Sequence, residues 1–382
     1  MSYPLWVAFH PLNVMIKDKI FMVHVEPTSK CNLYCKHCYN TDISSKNELS
    51  VKDIMEVLSQ LRPNLMHDFI TLSGGEFFAY KHSYELLSCL SEAGFKTRVF
   101  TNGSLIESSL LSKIISENLI SEFRISLDGF RNEHENIRGK DCFGDIISLI
   151  DVLKSANINV VINTVVFETN YRSLIRFYKF LLTKNIDEWR LELPFLGGNY
   201  KKNSESLHVI NKVELYKIFA ELISTYLKNE APILLDITNV FKSKSLVYGF
   251  SRFDTSSHPC NYFGNSITLK ANGDIGFCPT LPLSFGNIFS SKLAKILESP
   301  KRLDFFNIET SDINDCKACR YLNICQTGCR ADAVFRCDNI LQKDLNCCES
   351  MEYFENLILP VYPEYLRKEI KKLLLPTMAH KT

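Results

Sequence analysis

The 382-residue sequence predicts an α/β fold: a partial (β/α)6 TIM-like barrel followed by a small, cysteine-rich C-terminal domain. Two observations carry this. Residues 21–193 alternate short β-branched runs with helical patterns, the order of a parallel sheet wrapped by helices. Beyond residue 260 the pattern changes to short hairpins and turns dense in cysteine, and a region with few long helices needs metal or covalent staples.

Taken in order, the strands fall at Phe21–Val25, Phe69–Leu72, Thr97–Thr101, Glu122–Leu127, Asn159–Phe167 and Glu188–Leu193. Helical spacing of apolar residues marks Val51–Leu61, with Ser50 as N-cap, then Ser83–Ala93, Ser109–Glu117, Gly144–Ala156 and Tyr171–Thr183. The barrel domain is expected over 1–196. A connector with one helix, Lys212–Leu227, spans 197–257; the cysteine-rich domain spans 258–350, and a helical tail broken by Pro360, Pro363 and Pro376 spans 351–382. In such folds chemistry gathers at the carboxyl ends of the strands.

Lys+Arg number 44 against 43 Asp+Glu, so no long-range field favours nucleic acid or an anionic membrane. No apolar run approaches the ~20 residues of a membrane span. The first thirteen residues carry prolines and lack the basic start and cleavage site of a signal peptide, so the protein is expected in the cytoplasm. Fourteen cysteines in such a chain read as metal ligands rather than disulfides.

Cys31, Cys35 and Cys38 stand in CxxxCxxC spacing behind the first strand. Three thiolates so placed can hold three irons of a four-iron cluster, leaving one iron open. Ser73-Gly74-Gly75-Glu76 follows the second strand, Thr101-Asn102-Gly103 closes the third, Ser126-Leu127-Asp128-Gly129 closes the fourth, and Arg138-Gly139 lies beyond. Singly, these are ordinary turns. Asn163 interrupts an apolar fifth strand, and a strand-buried amide needs a partner.

Together the cysteine loop and the GGE, TNG, SLDG and RG elements resemble the radical S-adenosylmethionine (SAM) superfamily. The resemblance implies that Cys31, Cys35 and Cys38 hold a [4Fe-4S] cluster whose open iron chelates SAM, and that Gly74, Gly75 and Glu76 bind the SAM amino group. It also implies that Ser126 and Arg138 lie near its carboxylate and ribose, and that Asn163 meets the ribose hydroxyls, a structural hydrogen bond being the alternative. His37, within the loop, and the other histidines are given no role.

Cys260, the GxxxxC element Gly273–Cys278, the run Cys316-x2-Cys319-x5-Cys325-x3-Cys329, and Cys347 resemble the seven-cysteine SPASM extension of that superfamily. By resemblance, two auxiliary [4Fe-4S] clusters take Cys260, Cys278 and Cys329, and Cys316, Cys319, Cys325 and Cys347. Zinc is the alternative for CxxC pairs taken alone. The first set has three thiolates, leaving an open iron or one closed by an acid such as Asp254; either Cys347 or Cys348 completes the second. Cys89, Cys142, Cys337 and Cys348 read as small buried apolar groups.

SPASM enzymes mostly modify peptides or proteins. In sulfatase maturases an Asp directly follows the GxxxxC cysteine, whereas here Pro279 stands there and cannot accept a proton. The expected activity is therefore hydrogen abstraction from a peptide or protein side chain by the deoxyadenosyl radical, giving a crosslinked or otherwise oxidised product. Alternatives are a cofactor-biosynthesis step on a small molecule, anaerobic sulfatase maturation, and a noncatalytic metal-binding module. Expected partners are a peptide substrate and an electron donor such as flavodoxin or ferredoxin. With only a short run before the first strand, a leader peptide would be held by the barrel mouth, the tail or a separate leader-binding protein.

Overall fold

The computed structural model describes residues 19–40, 46–203, 210–238, 240–243, 258–259, 266–344 and 350–374. Six parallel strands, β1 (Met22–Val25), β2 (Phe69–Leu72), β3 (Lys96–Thr101), β4 (Glu122–Ser126), β5 (Asn159–Val165) and β6 (Glu188–Glu192), lie side by side in sequence order. Helices α1 (Val51–Leu61), α2 (Ser83–Glu92), α3 (Ser108–Ser116), α4 (Arg131–Arg138), α5 (Phe143–Ser155) and α6 (Leu174–Thr183) fill the crossovers. This is the partial barrel the alternation predicts, with boundaries shifted by one to three residues. Ser50 caps α1 as expected, its Oγ accepting from the Asp53 N–H at 3.1 Å.

Several features lay outside the sequence reading. Helix α4 was not expected, because RNEHENIR has hardly any apolar residues to mark a face. After β6 comes a short helix that was not expected, α7 (Gly198–Asn203), and then the connector helix that was, α8 (Lys212–Lys228). The connector then adds β7 (Leu234–Ile237), parallel to β6, and β8 (Phe241–Lys242), antiparallel to β7. At the opposite edge β9 (Ser266–Leu269) pairs parallel with β1, and β10 (Asp274–Gly276) and β11 (Gly286–Asn287) follow antiparallel. Among the described residues the result is one eleven-stranded sheet into which the cysteine-rich region is woven.

Strand side chains alternate between faces. Phe123, Ile125, Trp189 and Leu191 enter the helical layer, where Trp189 stacks on Tyr178 of α6. The opposite, concave face carries charge. Arg98 and Arg124 both reach Glu122, at 2.5 and 2.6 Å, and Arg190 lies 3.5 Å from Glu192 and 3.8 Å from Asp236. Among the described residues no helix is long and apolar enough to cross a membrane.

Candidate functional site

The three N-terminal cysteines lie on the loop leaving the carboxyl end of β1. The GGE turn after β2 is pressed against the root of this loop, with Gly75 N–H donating to Thr28 O at 2.9 Å and Glu76 N–H to Lys30 O at 2.8 Å. A Cβ on Gly74 would strike Thr28 O, and one on Gly75 the carbonyls of Ser29 and Lys30. The glycines thus let two stretches of this chain approach each other, a use that the motif alone did not reveal.

Burial pushes the Cys31 thiol up to about 12 and Cys38 to about 11, and it raises Cys35 as well; at Cys31 the neighbouring Glu76 and the other two sulfurs add to the effect. Three mutually repelling thiolates on one loop need a cation to stay ionised together. Backbone N–H groups already point at sulfur: Leu33 N–H lies 3.5 Å from Cys31 Sγ, and Asn40 serves Cys38 in the same way. Among the described residues no three His, Cys, Asp or Glu side chains converge on a single-ion point. The fit to a cluster therefore rests on the donor set itself: three thiols, N–H donors at their sulfurs, and a buried guanidinium beside the middle one.

Glu76 is buried, which raises its carboxyl, while hydrogen bonds pull the other way. Its Oε1 accepts from Thr101 Oγ1 at 2.7 Å and Phe78 N at 3.1 Å, and its Oε2 from Asn102 N at 2.7 Å. A carboxylate has about four acceptor sites, so one on Oε2 stays open to a further donor such as an ammonium. Asn102 then reaches Asn32 Oδ1 at 2.9 Å, tying the TNG turn to the cysteine loop.

Ser126 and Asn163 are paired in register at the ends of β4 and β5, with Arg190 and Asp236 continuing the row on β6 and β7. Asn163 Oδ1 is buried and accepts no hydrogen bond, which suits a ligand that brings a hydroxyl donor. Arg138, at the end of α4, donates from Nε to Asp128 Oδ2 at 2.6 Å and from Nη1 to Cys35 Sγ at 3.8 Å. Asp128 was read only as part of a turn. Its carboxyl, which burial alone would raise, is held down at about 2, chiefly by Arg138. His37 rests against Phe167, and burial holds its imidazole well below the usual range.

In the C-terminal region Cys278 follows β10, and its sulfur receives the backbone N–H groups of Leu281 and Thr280. The Thr280 hydroxyl serves both this sulfur and the Tyr39 hydroxyl, so the two cysteine regions meet there. Cys316, Cys319 and Cys325 line a small hollow, partly open to solvent, together with Tyr321, Asp344 and Met351. Cys329 precedes the helix Arg330–Cys337 and donates its N–H to Asp344 Oδ2 at 2.9 Å. Cys260, Cys347, Cys348 and Asp254 lie outside the described residues.

The sequence reading missed the clamp formed by α7. Asn199 donates its N–H to Cys38 O at 2.8 Å and its Nδ2 to Cys35 O at 3.3 Å, and Asn203 reaches Lys36 O at 3.3 Å. Gly198, at φ 49°, presses on the backbone of Cys38 and Tyr39, and Gly197 faces the Phe335 ring from the cysteine-rich side. The available signal was Gly197-Gly198-Asn199 directly after the sixth strand.

Comparison with known families matches residues 25–181 to the radical SAM superfamily and residues 260–320 to an iron-sulfur cluster-binding domain, SPASM. The cysteine-type anaerobic sulfatase-maturating enzyme of Clostridium perfringens is 23% identical over 380 residues, covering 90% of this chain and 96% of that protein. The AdoMet-dependent heme synthase of Methanosarcina barkeri is 22% identical over 339 residues, covering 84% and 94%. Streptococcus suis SuiB, solved bound to its precursor peptide SuiA, superposes with a TM-score of 0.70 at 19% identity, over 87% of this chain and 76% of that one. At that identity the likeness speaks for the fold alone.

Proposed function

The chain belongs to the radical SAM superfamily and carries a SPASM-type iron-sulfur domain; from that premise we propose that it matures a peptide or protein by abstracting hydrogen from a side-chain carbon. It is an enzyme that uses SAM and [4Fe-4S] clusters. When bound, these supply a deoxyadenosyl radical able to remove an unactivated hydrogen atom.

In this reading Cys31, Cys35 and Cys38 ligate the SAM-binding cluster. The open acceptor site on Glu76, beside Gly74 and Gly75, takes the SAM ammonium. Ser126 and Arg138 flank the carboxylate, and Asn163 Oδ1 accepts from the ribose. Cys260, Cys278 and Cys329, and Cys316, Cys319, Cys325 and Cys347, hold two auxiliary clusters. Forming a crosslink removes two hydrogens from the peptide. One would leave as a hydrogen atom to the deoxyadenosyl radical, giving deoxyadenosine; the other would leave as a proton and an electron, for which a cluster held by the C-terminal cysteines would be the acceptor.

The observation that favours a peptide is the concave face of the sheet. Arg98, Glu122, Arg124, Arg190, Glu192 and Asp236 line it with paired charges, which suits backbone amides and polar side chains. Precursor-bound SuiB, with the same fold, supports this choice, and Pro279 weighs against sulfatase maturation. The similarity to a heme synthase favours a second reading, oxidation of a tetrapyrrole. A flavodoxin or ferredoxin would supply the electrons, and a separate protein would present any leader.

The test is anaerobic incubation of the reconstituted enzyme with SAM, dithionite and peptides encoded by short reading frames beside its gene. A peptide product lighter by two hydrogens, formed together with deoxyadenosine, is expected. Turnover of a porphyrin with no change in any peptide would replace this reading by the second.

A further inference from the structure

Arg138 is buried, and a buried guanidinium persists only when paired. Its pairing is specific. Nε donates to Asp128 Oδ2 at 2.6 Å, and Asp128 Oδ1 in turn accepts the Val165 N–H at 2.9 Å. The carboxylate is thereby fixed on both oxygens, and it sets the plane of the guanidinium. Nη1 then points at Cys35 Sγ, 3.8 Å away. The adjacent Lys36 N–H donates to Ile137 O at 3.1 Å, so the end of α4 grips the cysteine loop through backbone as well as side chain. The Asp-x9-Arg spacing that closes this geometry, Asp128 to Arg138, spans the SLDG turn and one short helix.

Hydrogen bonds to cluster sulfurs and net charge nearby set the reduction potentials of iron-sulfur centres. Reduction adds one negative charge, and a cation donating to a ligand thiolate in a buried site stabilises that charge. We propose that Arg138 raises the reduction potential of the cluster held by Cys31, Cys35 and Cys38 through its N–H···S contact with Cys35, with Asp128 orienting it and offsetting its charge. The proposal rests on the assignment of those three cysteines as cluster ligands. The step is a one-electron reduction with no bond made or broken. Arg138 keeps three further N–H donors, so contact with SAM is compatible with this role.

The measurement is an EPR-monitored redox titration without SAM, in the anaerobically reconstituted full-length protein. The triad's signal is recognised because it changes when SAM is added afterwards. Arg138→Gln should lower the potential by at least the equivalent of a tenfold change in the reduced-to-oxidised ratio, about 59 mV for one electron. Arg138→Lys, keeping charge but losing the fork, should shift it less in the same direction. Asp128→Asn removes the offsetting anion and should raise it. Opposite signs at two contacting residues are not what a damaged fold produces.

Unchanged potentials, or shifts of the same sign in Arg138→Gln and Asp128→Asn, would overturn the proposal. If Arg138→Gln loses the cluster, the other two variants decide; loss in all three would make the pair a structural buttress and overturn it as well. A parent protein with no SAM-responsive signal would remove the cluster assignment and this proposal together. Failure to modify any peptide would leave the potentials, and hence this result, standing.

Discussion

At Glu76 two requirements compete: the carboxylate is buried, yet it must stay ionised to be useful. Three donors from Thr101, Phe78 and Asn102 oppose the burial that raises its carboxyl, without cancelling it. Glu76→Gln would turn an amide against at least one of these donors as well as removing a charge, and a buried unsatisfied donor costs ~1–3 kcal/mol. SAM affinity should drop about tenfold or more and the unfolding midpoint should fall too, a pairing that calorimetry and denaturation on the same sample would check; an unaltered SAM dissociation constant would make Glu76 a turn residue only. Buried histidines, His24 and His134 among them, contribute to the response to acid. Burial holds His24 down at about 3, helped by Lys270 and Arg98, and His134 at about 4. Because the unfolded chain binds these protons near 6.5 and the folded chain does not, stability is complete above about pH 6.5. It should decline as pH falls toward 4, by up to ~1.4 kcal/mol per pH unit for each imidazole. Urea unfolding across that range should show the slope, and His24→Gln should reduce it. At this scale the sequence was readable for residue types and mute on partners: nothing local says that Gly75 makes room for Lys30 O or that Asp128 holds Arg138.

Elements were legible where they carry their own apolar periodicity. Helix α1 has four buried aliphatic residues and a serine cap, so its limits could be read from the chain. By contrast, α4 and α7 draw their order from what they touch. The sequence of α7, GNYKKN, has no apolar stripe, and the helix is held by its bonds to the cysteine loop and by the edge contact of Tyr200 with Phe167. Tertiary contacts of this kind override local propensity. Gly198 is the sensitive point because both its φ of 49° and its contact with Cys38 O exclude a side chain. Gly198→Val should therefore displace the Cys35–Cys38 segment. The expected result is selective loss of the SAM-responsive cluster, with the iron of the C-terminal region retained in metal analysis. Full iron content with an unshifted EPR spectrum would show that the clamp is dispensable.

Across the whole molecule, the pairing of β9 with β1 decides how the two cysteine regions communicate. These strands are far apart in sequence, and a contact of that separation leaves no trace in local pattern. The pairing brings the β10 turn and Cys278 beside the loop that leaves β1, where Thr280 touches both Cys278 and Tyr39. The seven-cysteine pattern gave the composition of the second region; its insertion into the barrel sheet required the fold. Two consequences differ in kind. Replacing Cys31, Cys35 and Cys38 together by Ala changes a loop outside the strands. The sheet should persist, auxiliary iron should remain, and SAM with dithionite should yield no deoxyadenosine. Replacing Cys316, Cys319 or Cys325 removes one of the proposed auxiliary-cluster ligands from a region of short helices, whose folding would be coupled to metal. Because β9 and β10 are hydrogen-bonded into the common sheet, that damage should spread: soluble yield and the barrel's thermal midpoint should both fall, although the substitution lies outside the barrel. Undiminished deoxyadenosine from the triple variant would contradict the N-terminal assignment. An unchanged barrel midpoint after loss of Cys316 would show that the two regions fold independently despite sharing a sheet.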